Sequence, residues 1–397
     1  MTKLIQKSKR IESIDILRGI VMILMCLDHT RDYYHNLDAA GWPMDLETTT
    51  PGLFFTRYIT HFCAPIFVLL SGTSIYLQSL RKSKKELSIF LFKRGMWLIF
   101  LEIVLNNFLW KFDIFYDVIV LQVIWAIGAS MVAMAIIIQF NKYVIFAIGA
   151  VIVLCHNLLD SIVTEGAGIL SFGWLLFHQS GVLEYGNYGK IFVGYPMLPW
   201  LGIMILGFVL GWLYNKKIEQ SKRIKVLIGI GLASLVTFCI LRLFNLYGDP
   251  NWAFEMQKGF FNNLVSFIRI TKYPPSLHYS LVTIGVALLL LAALEQLRGK
   301  VADFFLVFGK VPLFFYFLHI AVIHLSSMFL KPFWNDVMYS SVGNYENSVN
   351  NHHMFLGVDL IYVYLAWVLI ITILYIPCKR YMQYKGRNRD KKWLSYF

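Results

Sequence analysis

An arginine and a histidine stand at opposite ends of one apolar segment, IDILRGIVMILMCLDH, which runs from Ile14 to His29. Arg18 and His29 are 11 residues apart, so on an α-helix both side chains project from one stripe, roughly 16 Å apart along the axis. Guanidinium is suited to phosphate and imidazole to proton transfer. Because a charge in hydrocarbon costs roughly 2.5–3.5 kcal/mol on insertion scales, both groups are expected to face a polar interior.

Local spacing also predicts side-chain pairs at both ends of this segment. Three pairs have the i, i+3 separation of neighbours on one helix face: Asp15 with Arg18, Asp28 with Arg31, and His29 with Asp32. The alternative interpretation of the first pair is an ion pair at the membrane interface, from which Arg18 simply extends into water.

Further imidazoles are expected at the depth of His29. His61 lies in the second apolar segment, THFCAPIFVLLSG, while His278 opens the eighth segment and His324 lies in the ninth. Several titratable imidazoles at one level indicate a polar chamber that can transfer protons. Zinc is the competing interpretation, but no HxxxH pair with a carboxylate lies on one predicted helix face, and no metal site is predicted.

Basic side chains form a second group at the opposite end. Lys93 and Arg94 lie in FLFKRGMWLIFLE, and Lys310 lies in FGKVPLFFYFLH. With Arg18 they predict a cationic ring suited to phosphates. Glu102 follows Arg94 by eight residues on nearly the same helical face, so we expect it to orient that arginine. The alternative is that each basic residue only anchors its helix at the cytoplasmic interface.

The composition is that of an integral membrane protein. Of the 397 residues, 58% are apolar and only 15% are charged, and the mean hydropathy is +0.60; soluble domains carry about 25% charged residues. The net charge of +13 requires no nucleic-acid partner, because Lys and Arg gather on the cytoplasmic side and contact anionic membrane lipids. The five cysteines include no CxxC pair, which argues against a disulfide framework.

Apolar segments of about 20 residues can cross a bilayer as helices. They lie near residues 13–33, 57–80, 88–109, 118–139, 143–160, 193–214, 224–247, 277–297, 304–328 and 355–377. We therefore predict an all-α bundle of about ten transmembrane helices. It is expected to be one unit over residues 1–397, with a membrane core over about 10–380 and a basic tail over 381–397. Lys and Arg concentrate in alternate loops, so both termini are predicted to be cytoplasmic.

Six ordered blocks of this sequence are similar to those of one protein family. They are RIESIDILRGIVMILMCLDHTRDYYH, APIFVLLSGTSIYL, KRGMWLIFLE, GYPMLPWLGIMILGFVLG, KYPPSLHYSLVTIG and GKVPLFFYFLHI. Over about residues 10–380 the chain resembles bacterial membrane proteins related to lysosomal heparan-alpha-glucosaminide N-acetyltransferase. The spacing from Arg18 to His29 also resembles a motif of the broader transmembrane acyltransferase superfamily, which includes sugar O-acetyltransferases.

The resemblance implies ten or eleven helices around an acyl-CoA-binding pore that opens to the cytoplasm. It implies acetyl transfer from acetyl-CoA to an acceptor on the other side of the membrane. The lysosomal enzyme has Asn where His29 falls, and its catalytic histidine lies further along the outer loop. His35 and His61 are therefore alternatives to His29 as the catalytic base.

The resulting hypothesis is a bacterial inner-membrane acyltransferase that acts on a hydroxyl or amine of an extracytoplasmic glycan or glycolipid. His29 would be the general base, Asp28 or Asp32 would orient it, and His61 would stabilise the oxyanion or relay the proton. The basic group that includes Arg18 would hold the phosphates of CoA. An acyl-histidine intermediate and a homodimer are left open.

Two rival functions belong to other classes. A small-anion or proton-coupled transporter would use Arg18 and Lys310 as ligands and the histidines as a proton relay. That function predicts repeated halves or paired broken helices, which the sequence lacks. The second rival is a structural or signalling membrane protein with a degenerate site, against which the presence of Arg18, His29 and His61 argues.

Overall fold

The computed structural model describes residues 11–35, 43–45, 49–164, 168–184, 189–250, 252–256, 259–330, 357–388 and 390–395. These residues are mostly helical. The α-helices are α1 (Glu12–Tyr34), α2 (Pro51–Thr60), α3 (Cys63–Ser79), α4 (Lys84–Leu101), α5 (Asn107–Lys111), α6 (Val123–Ile137), α7 (Lys142–Cys155), α8 (Ile169–Phe177), α9 (Met197–Leu210), α10 (Gln220–Leu243), α11 (Gly259–Ile268), α12 (Leu277–Leu294), α13 (Lys300–Gly309), α14 (Pro312–Leu330) and α15 (Leu360–Arg387). A π-helical segment, Glu102–Asn106, joins α4 to α5, and 3-10 turns cover His156–Leu159, Gly211–Tyr214 and Lys392–Ser395.

Within the described ranges, seven helical stretches are long and apolar enough to cross a membrane. They are Pro51–Ser79, Lys142–Leu159, Met197–Tyr214, Gln220–Leu243, Leu277–Leu294, Pro312–Leu330 and Leu360–Arg387. Each of the seven overlaps a predicted span. The total of about ten crossings and the cytoplasmic position of both termini stay predictions.

A small sheet departs from the all-α prediction. β1 (Val118–Leu121) pairs in parallel with β3 (Lys190–Val193), and β2 (Gly181–Glu184) pairs with β3 in antiparallel orientation. The fourth predicted span, 118–139, therefore begins as a strand, and its helix starts only at Val123. A short run of β-branched apolar residues fits a strand as well as a helix, which is why periodicity could not separate them.

The ninth predicted span, 304–328, is divided between two helices. α13 ends at Gly309 and α14 begins at Pro312. Proline lacks an amide hydrogen and is tolerated in the first helical turn, where no intrahelical acceptor is available for that hydrogen. The sequence KVP thus ends one helix and starts the next.

Helix α1 lies at the centre of the bundle. It packs against α2, α3, α12, α13, α14 and α15. Its charged and titratable residues are buried or half-buried as a result, including Asp15, Asp28, His29 and Arg31. His29 is buried and Arg18 is half-buried among these helices, as expected of groups that face a protein interior.

Glycines allow the closest helix contacts in this bundle. A Cβ added to Gly72 on α3 would overlap the carbonyl oxygen of Met204 on α9, and one added to Gly207 would overlap that of Leu69. The two backbones therefore touch directly, as small residues permit in membrane helices. This contact fixes α3, the helix that follows His61 in the chain.

Glu102 closes the N-terminus of α6. Its side chain is fully buried, and its carboxylate accepts hydrogen bonds from Gln122 N at 2.9 Å, Asn106 Nδ2 at 3.0 Å and Trp125 N at 3.2 Å. Amide hydrogens at a helix start lack intrahelical acceptors and favour a negative charge. The prediction that Glu102 orients Arg94 is wrong, because β1 brings the start of α6 back beside this carboxylate.

Replacing Gly72 by alanine is expected to lower the melting temperature of the detergent-solubilised protein. The added methyl group must push α3 away from α9, and overpacking of this kind costs about 1–3 kcal/mol. Gly229→Ala is the matched control, since a Cβ there meets nothing within 4 Å. Equal melting temperatures for both variants would contradict the close contact.

Glu102→Ala is expected to destabilise the protein by about 1–3 kcal/mol for each buried donor left unpaired. Thermal unfolding followed by circular dichroism measures the effect. Glu184→Ala serves as the control, because that side chain is 65% exposed and pairs at the surface with Lys190. A Glu102 variant that melts like the Glu184 variant would show that the carboxylate does not cap α6.

Candidate active site

Two imidazoles in direct contact form the centre of the candidate site. Nδ1 of His29, on α1, lies 2.8 Å from Nε2 of His319, on α14, and Nδ1 of His319 lies 2.9 Å from the carbonyl oxygen of Phe315. A carbonyl only accepts, so Nδ1 of His319 carries the hydrogen and Nε2 of the neutral ring accepts from His29. This order leaves the lone pair of a base on Nε2 of His29.

Aromatic rings enclose this pair. His319 is fully buried and His29 is 8% exposed. The edge of Trp110, on α5, meets His29 with ring centroids 4.8 Å apart, and Tyr316 approaches it at 6.2 Å. Within the described part of the chain, no hydrogen bond engages Nε2 of His29. The base nitrogen therefore lies in an aromatic cage and is available to a ligand.

Asp28 belongs to an ion-pair network rather than to His29. It accepts two hydrogen bonds from Arg57, at 2.7 and 2.6 Å, and one from Thr60 at 2.8 Å. It also pairs with Arg31 at 2.6 Å, which confirms the pairing predicted from the i, i+3 spacing. With its oxygens engaged in this way, Asp28 acts on His29 through its charge and not as a hydrogen-bond partner.

The predicted contact between His29 and Asp32 is wrong. Asp32 pairs with Arg31 at 2.6 Å, and the actual partner of His29 is His319. His35 ends α1, where its Nδ1 lies 2.9 Å from the carbonyl oxygen of Val358; among the described residues it makes no contact with His29. A helix distant in the sequence supplies the partner that local spacing assigned to Asp32.

His61 borders the same charged network as His29. It lies within electrostatic range of Asp28, Arg57 and Lys272, as His29 does. Its backbone carbonyl accepts a hydrogen bond from Tyr279 Oη at 2.6 Å, and its Nδ1 is buried without a partner among the described residues. His61 is thus placed beside the network but makes no hydrogen bond to His29.

The other two predicted histidines make no ring contact or hydrogen bond with His29. His278 has its Nδ1 3.5 Å from Asp249, and His324 stacks on Phe112 with ring centroids 4.1 Å apart. One chamber lined by all four predicted histidines stays a prediction. Among the described residues, no group of three or more His, Cys, Asp or Glu side chains is placed to hold a metal ion.

The basic group at the other end of α1 is centred on Arg18. Its guanidinium donates to Asp15 at 2.8 Å, to Ser74 Oγ at 3.1 Å and to the Gly309 carbonyl at 3.4 Å. The predicted Asp15–Arg18 pair is confirmed. Because Gly309 immediately precedes Lys310, these contacts place Arg18 beside the turn that carries the lysine.

Lys93 and Arg94 lie on another part of the bundle. Both are on α4, which packs mainly against α6. Lys93 is exposed and Arg94 is half-buried. Their membership in one ring with Arg18 and Lys310 stays a prediction.

A cavity of about 460 Å³ with both polar and apolar lining residues lies next to the turn Thr271–Ser276. Its polar lining consists of Asn157, Asp160, His178, Gln179, Ser180, Tyr247, Asp249, Thr271 and Ser276. Burial alone would raise the pKa of Asp160, but hydrogen bonds from His178 and Asn157 outweigh it and lower that pKa. The same turn carries Lys272, which acts electrostatically on His29, so the turn lies between the cavity and the charged network.

Three residues of the site were not found from the sequence. His319, Tyr316 and Trp110 lie in apolar, aromatic-rich segments, where such residues usually belong to the core. The sequence signal that could have identified the site was a second histidine in the ninth span. His319 lies in the block GKVPLFFYFLHI, five residues before His324.

Comparison with protein families agrees with this architecture. The family described as "Heparan-alpha-glucosaminide N-acetyltransferase, catalytic" matches residues 10–243, more than half of the chain. The matched region contains Arg18, His29 and the Glu102 cap, while His319 and Lys310 lie beyond it. A comparison with curated proteins gives no significant match. The chain belongs to the heparan-alpha-glucosaminide N-acetyltransferase catalytic family, which indicates a membrane-bound transferase of the acetyltransferase type.

Proposed function

We propose that this protein transfers an acetyl group from cytoplasmic acetyl-CoA to a hydroxyl or amine of an extracytoplasmic glycan or glycolipid, in a bacterial inner membrane. The observation that carries the proposal is the His29–His319 pair, which leaves a basic nitrogen in a buried aromatic cage. Family membership supports the transferase class. Acyl transfer by general base catalysis requires an oriented base, and buried bases beside charged groups are common in active sites.

The acyl donor would reach His29 along α1. Arg18 lies on the same helix, and its contacts place it beside the turn that carries Lys310. These two cations would hold phosphates of CoA at the cytoplasmic end, since guanidinium and ammonium groups both bind phosphate. The slender pantetheine arm would then span the roughly 16 Å of helix between Arg18 and His29.

In the proposed reaction, Nε2 of His29 removes the proton from the acceptor as its oxygen or nitrogen attacks the thioester carbon. The carbon–sulfur bond breaks, and the protonated imidazole returns its proton to the departing thiolate. His319 supports the charged ring, because its Nε2 accepts the Nδ1 hydrogen of His29 throughout. General base catalysis of this kind contributes about 10²–10⁴-fold.

A hydroxyl-rich acceptor is supported by the polar side chains in the cavity beside the Thr271–Ser276 turn. Its carboxylate, amide and hydroxyl side chains offer both donors and acceptors. A volume of about 460 Å³ lies in the range of small-ligand sites. The carboxylates of Asp160 and Asp249 also suit an amine, so both O- and N-acylation agree with this lining.

Replacing His29 by glutamine is expected to reduce acetyl transfer by about 10²–10⁴-fold, because the general base is lost. Purified protein is incubated with radiolabelled acetyl-CoA and a panel of glycans, and label in the glycan is counted. His35→Gln is expected to retain activity, since His35 is fixed by Val358 at the end of α1. His61→Gln tests whether His61 is the general base instead of His29.

The reverse result, an inactive His35 variant beside an active His29 variant, would move the base to His35. Tyr364→Phe is the distant control, because that hydroxyl bonds only Thr56 among the described residues. Substrate flux into proteoliposomes without CoA would favour the transporter instead.

A further inference from the structure

Two buried hydrogen-bond donors beside His29 make no well-formed hydrogen bond with the described residues. They are Nε1 of Trp110 and Oη of Tyr316, both shielded from solvent. The two groups lie near each other, but not in the geometry of a hydrogen bond. Trp110 is 7% exposed and Tyr316 is 5% exposed. Leaving such a group unsatisfied costs about 1–3 kcal/mol. Two together beside a candidate base therefore indicate a partner that arrives with the substrate.

Both donors belong to the wall of the aromatic cage. Trp110 meets His29 edge-on, with an interplanar angle of 76°. Tyr316 stands at 89° to His29 and packs on His319 with ring centroids 5.6 Å apart. The Tyr316 hydroxyl lies beside the side chains of Trp110 and Asn106. The polar atoms of this wall thus converge on one place next to the imidazole pair.

The wall is held in position without a ligand. Tyr33 Oη donates to the carbonyl oxygen of Trp110 at 2.6 Å, and the Tyr33 ring stacks on the indole with centroids 5.5 Å apart. Asn106 donates through Nδ2 to Glu102 at 3.0 Å. Donors fixed in advance stabilise a developing charge without the cost of reorganisation, which makes them effective in a site that excludes water.

We propose that Trp110 Nε1–H and Tyr316 Oη–H form an oxyanion site that binds the carbonyl oxygen of the acyl donor. The inference rests on the proposed acyl transfer. As the acceptor atom bonds to the carbonyl carbon, the π electrons of the carbonyl move to its oxygen, and both donors stabilise that negative charge. When the carbon–sulfur bond breaks, the electron pair on oxygen re-forms the carbonyl and the negative charge leaves on the thiolate sulfur, which takes the proton held by His29.

Asn106 is not part of this oxyanion site. Its atom without a partner among the described residues is Oδ1, which accepts hydrogen bonds and would repel an oxyanion. The amide instead positions the wall, since it lies one turn before Trp110 and beside the Tyr316 hydroxyl.

Steady-state kinetics of Tyr316→Phe and Trp110→Phe test the proposal. Each variant removes one donor, so kcat is expected to fall by about 10²–10³-fold, the usual effect of losing one oxyanion donor. The KM for acetyl-CoA is expected to rise by no more than about 5–10-fold, the effect of one hydrogen bond, because most of the interaction develops with the charge on the oxygen. Tyr364→Phe, which removes a hydroxyl bonded to Thr56, is the matched control and should keep its kcat.

Binding and stability provide a readout that needs no turnover. S-acetonyl-CoA retains the carbonyl oxygen but cannot transfer its acyl group, whereas S-propyl-CoA has no carbonyl. Tyr316→Phe should weaken binding of S-acetonyl-CoA about 5–10-fold, the effect of one hydrogen bond, and leave that of S-propyl-CoA unchanged. The unliganded Tyr316 variant should melt no lower than wild type, while Tyr364→Phe, which breaks a hydrogen bond, should melt lower.

Three outcomes overturn the proposal. If wild type transfers acetyl groups and His29→Gln does not, but both wall variants keep full kcat, the oxyanion site is wrong and the proposed function stands. If Tyr316→Phe weakens both CoA analogues equally, the hydroxyl has a general binding or structural role. If wild type binds neither analogue and transfers no label, the proposed function fails and the oxyanion site fails with it.

Discussion

The carbonyl oxygen of Phe315 determines where the protons lie in this site. It stands one helical turn before His319 and holds the hydrogen on Nδ1 of that ring, so Nε2 must face α1 as an acceptor. If the hydrogen of His29 were on its Nε2 instead of its Nδ1, two unprotonated nitrogens would lie 2.8 Å apart. The basic nitrogen of His29 is therefore a consequence of how α14 presents one backbone group, provided that α1 and α14 keep their contact.

That contact depends on the charges that α1 brings into the bundle. Other helices supply their partners: α2 provides Arg57 for Asp28, and α3 provides Ser74 for Arg18. A buried charge that loses its partner is strongly destabilising, often by 3–5 kcal/mol. Misplacing any of these helices would leave such a charge uncompensated, so the same groups that hold α1 at the centre also hold His29 against His319.

Contacts within one helix could be predicted from the sequence, and contacts between helices could not. The Asp15–Arg18 and Asp28–Arg31 pairs follow from i, i+3 spacing, and seven apolar spans follow from length and hydropathy. The partner of His29 could not be found in this way, because His319 is 290 residues away. The Glu102 cap depends on strand β1, whose apolar sequence VIVL is equally compatible with a helix. Each of these errors arises where tertiary packing decides among locally equivalent choices.

The π-helical segment Glu102–Asn106 links the Glu102 cap to the active-site wall. Each π turn holds one residue more than an α turn, so the residues that follow are rotated by roughly 100° from an uninterrupted α-helix. A face estimate made from Arg94 therefore cannot be extended past this segment. Asn106 and Trp110, one turn apart, both lie beside Tyr316. Since Asn106 also binds Glu102, the carboxylate that starts α6 fixes the register in which the indole reaches His29. The π-helical segment thus connects the carboxylate that caps α6 to α5, which carries Trp110 of the proposed oxyanion site.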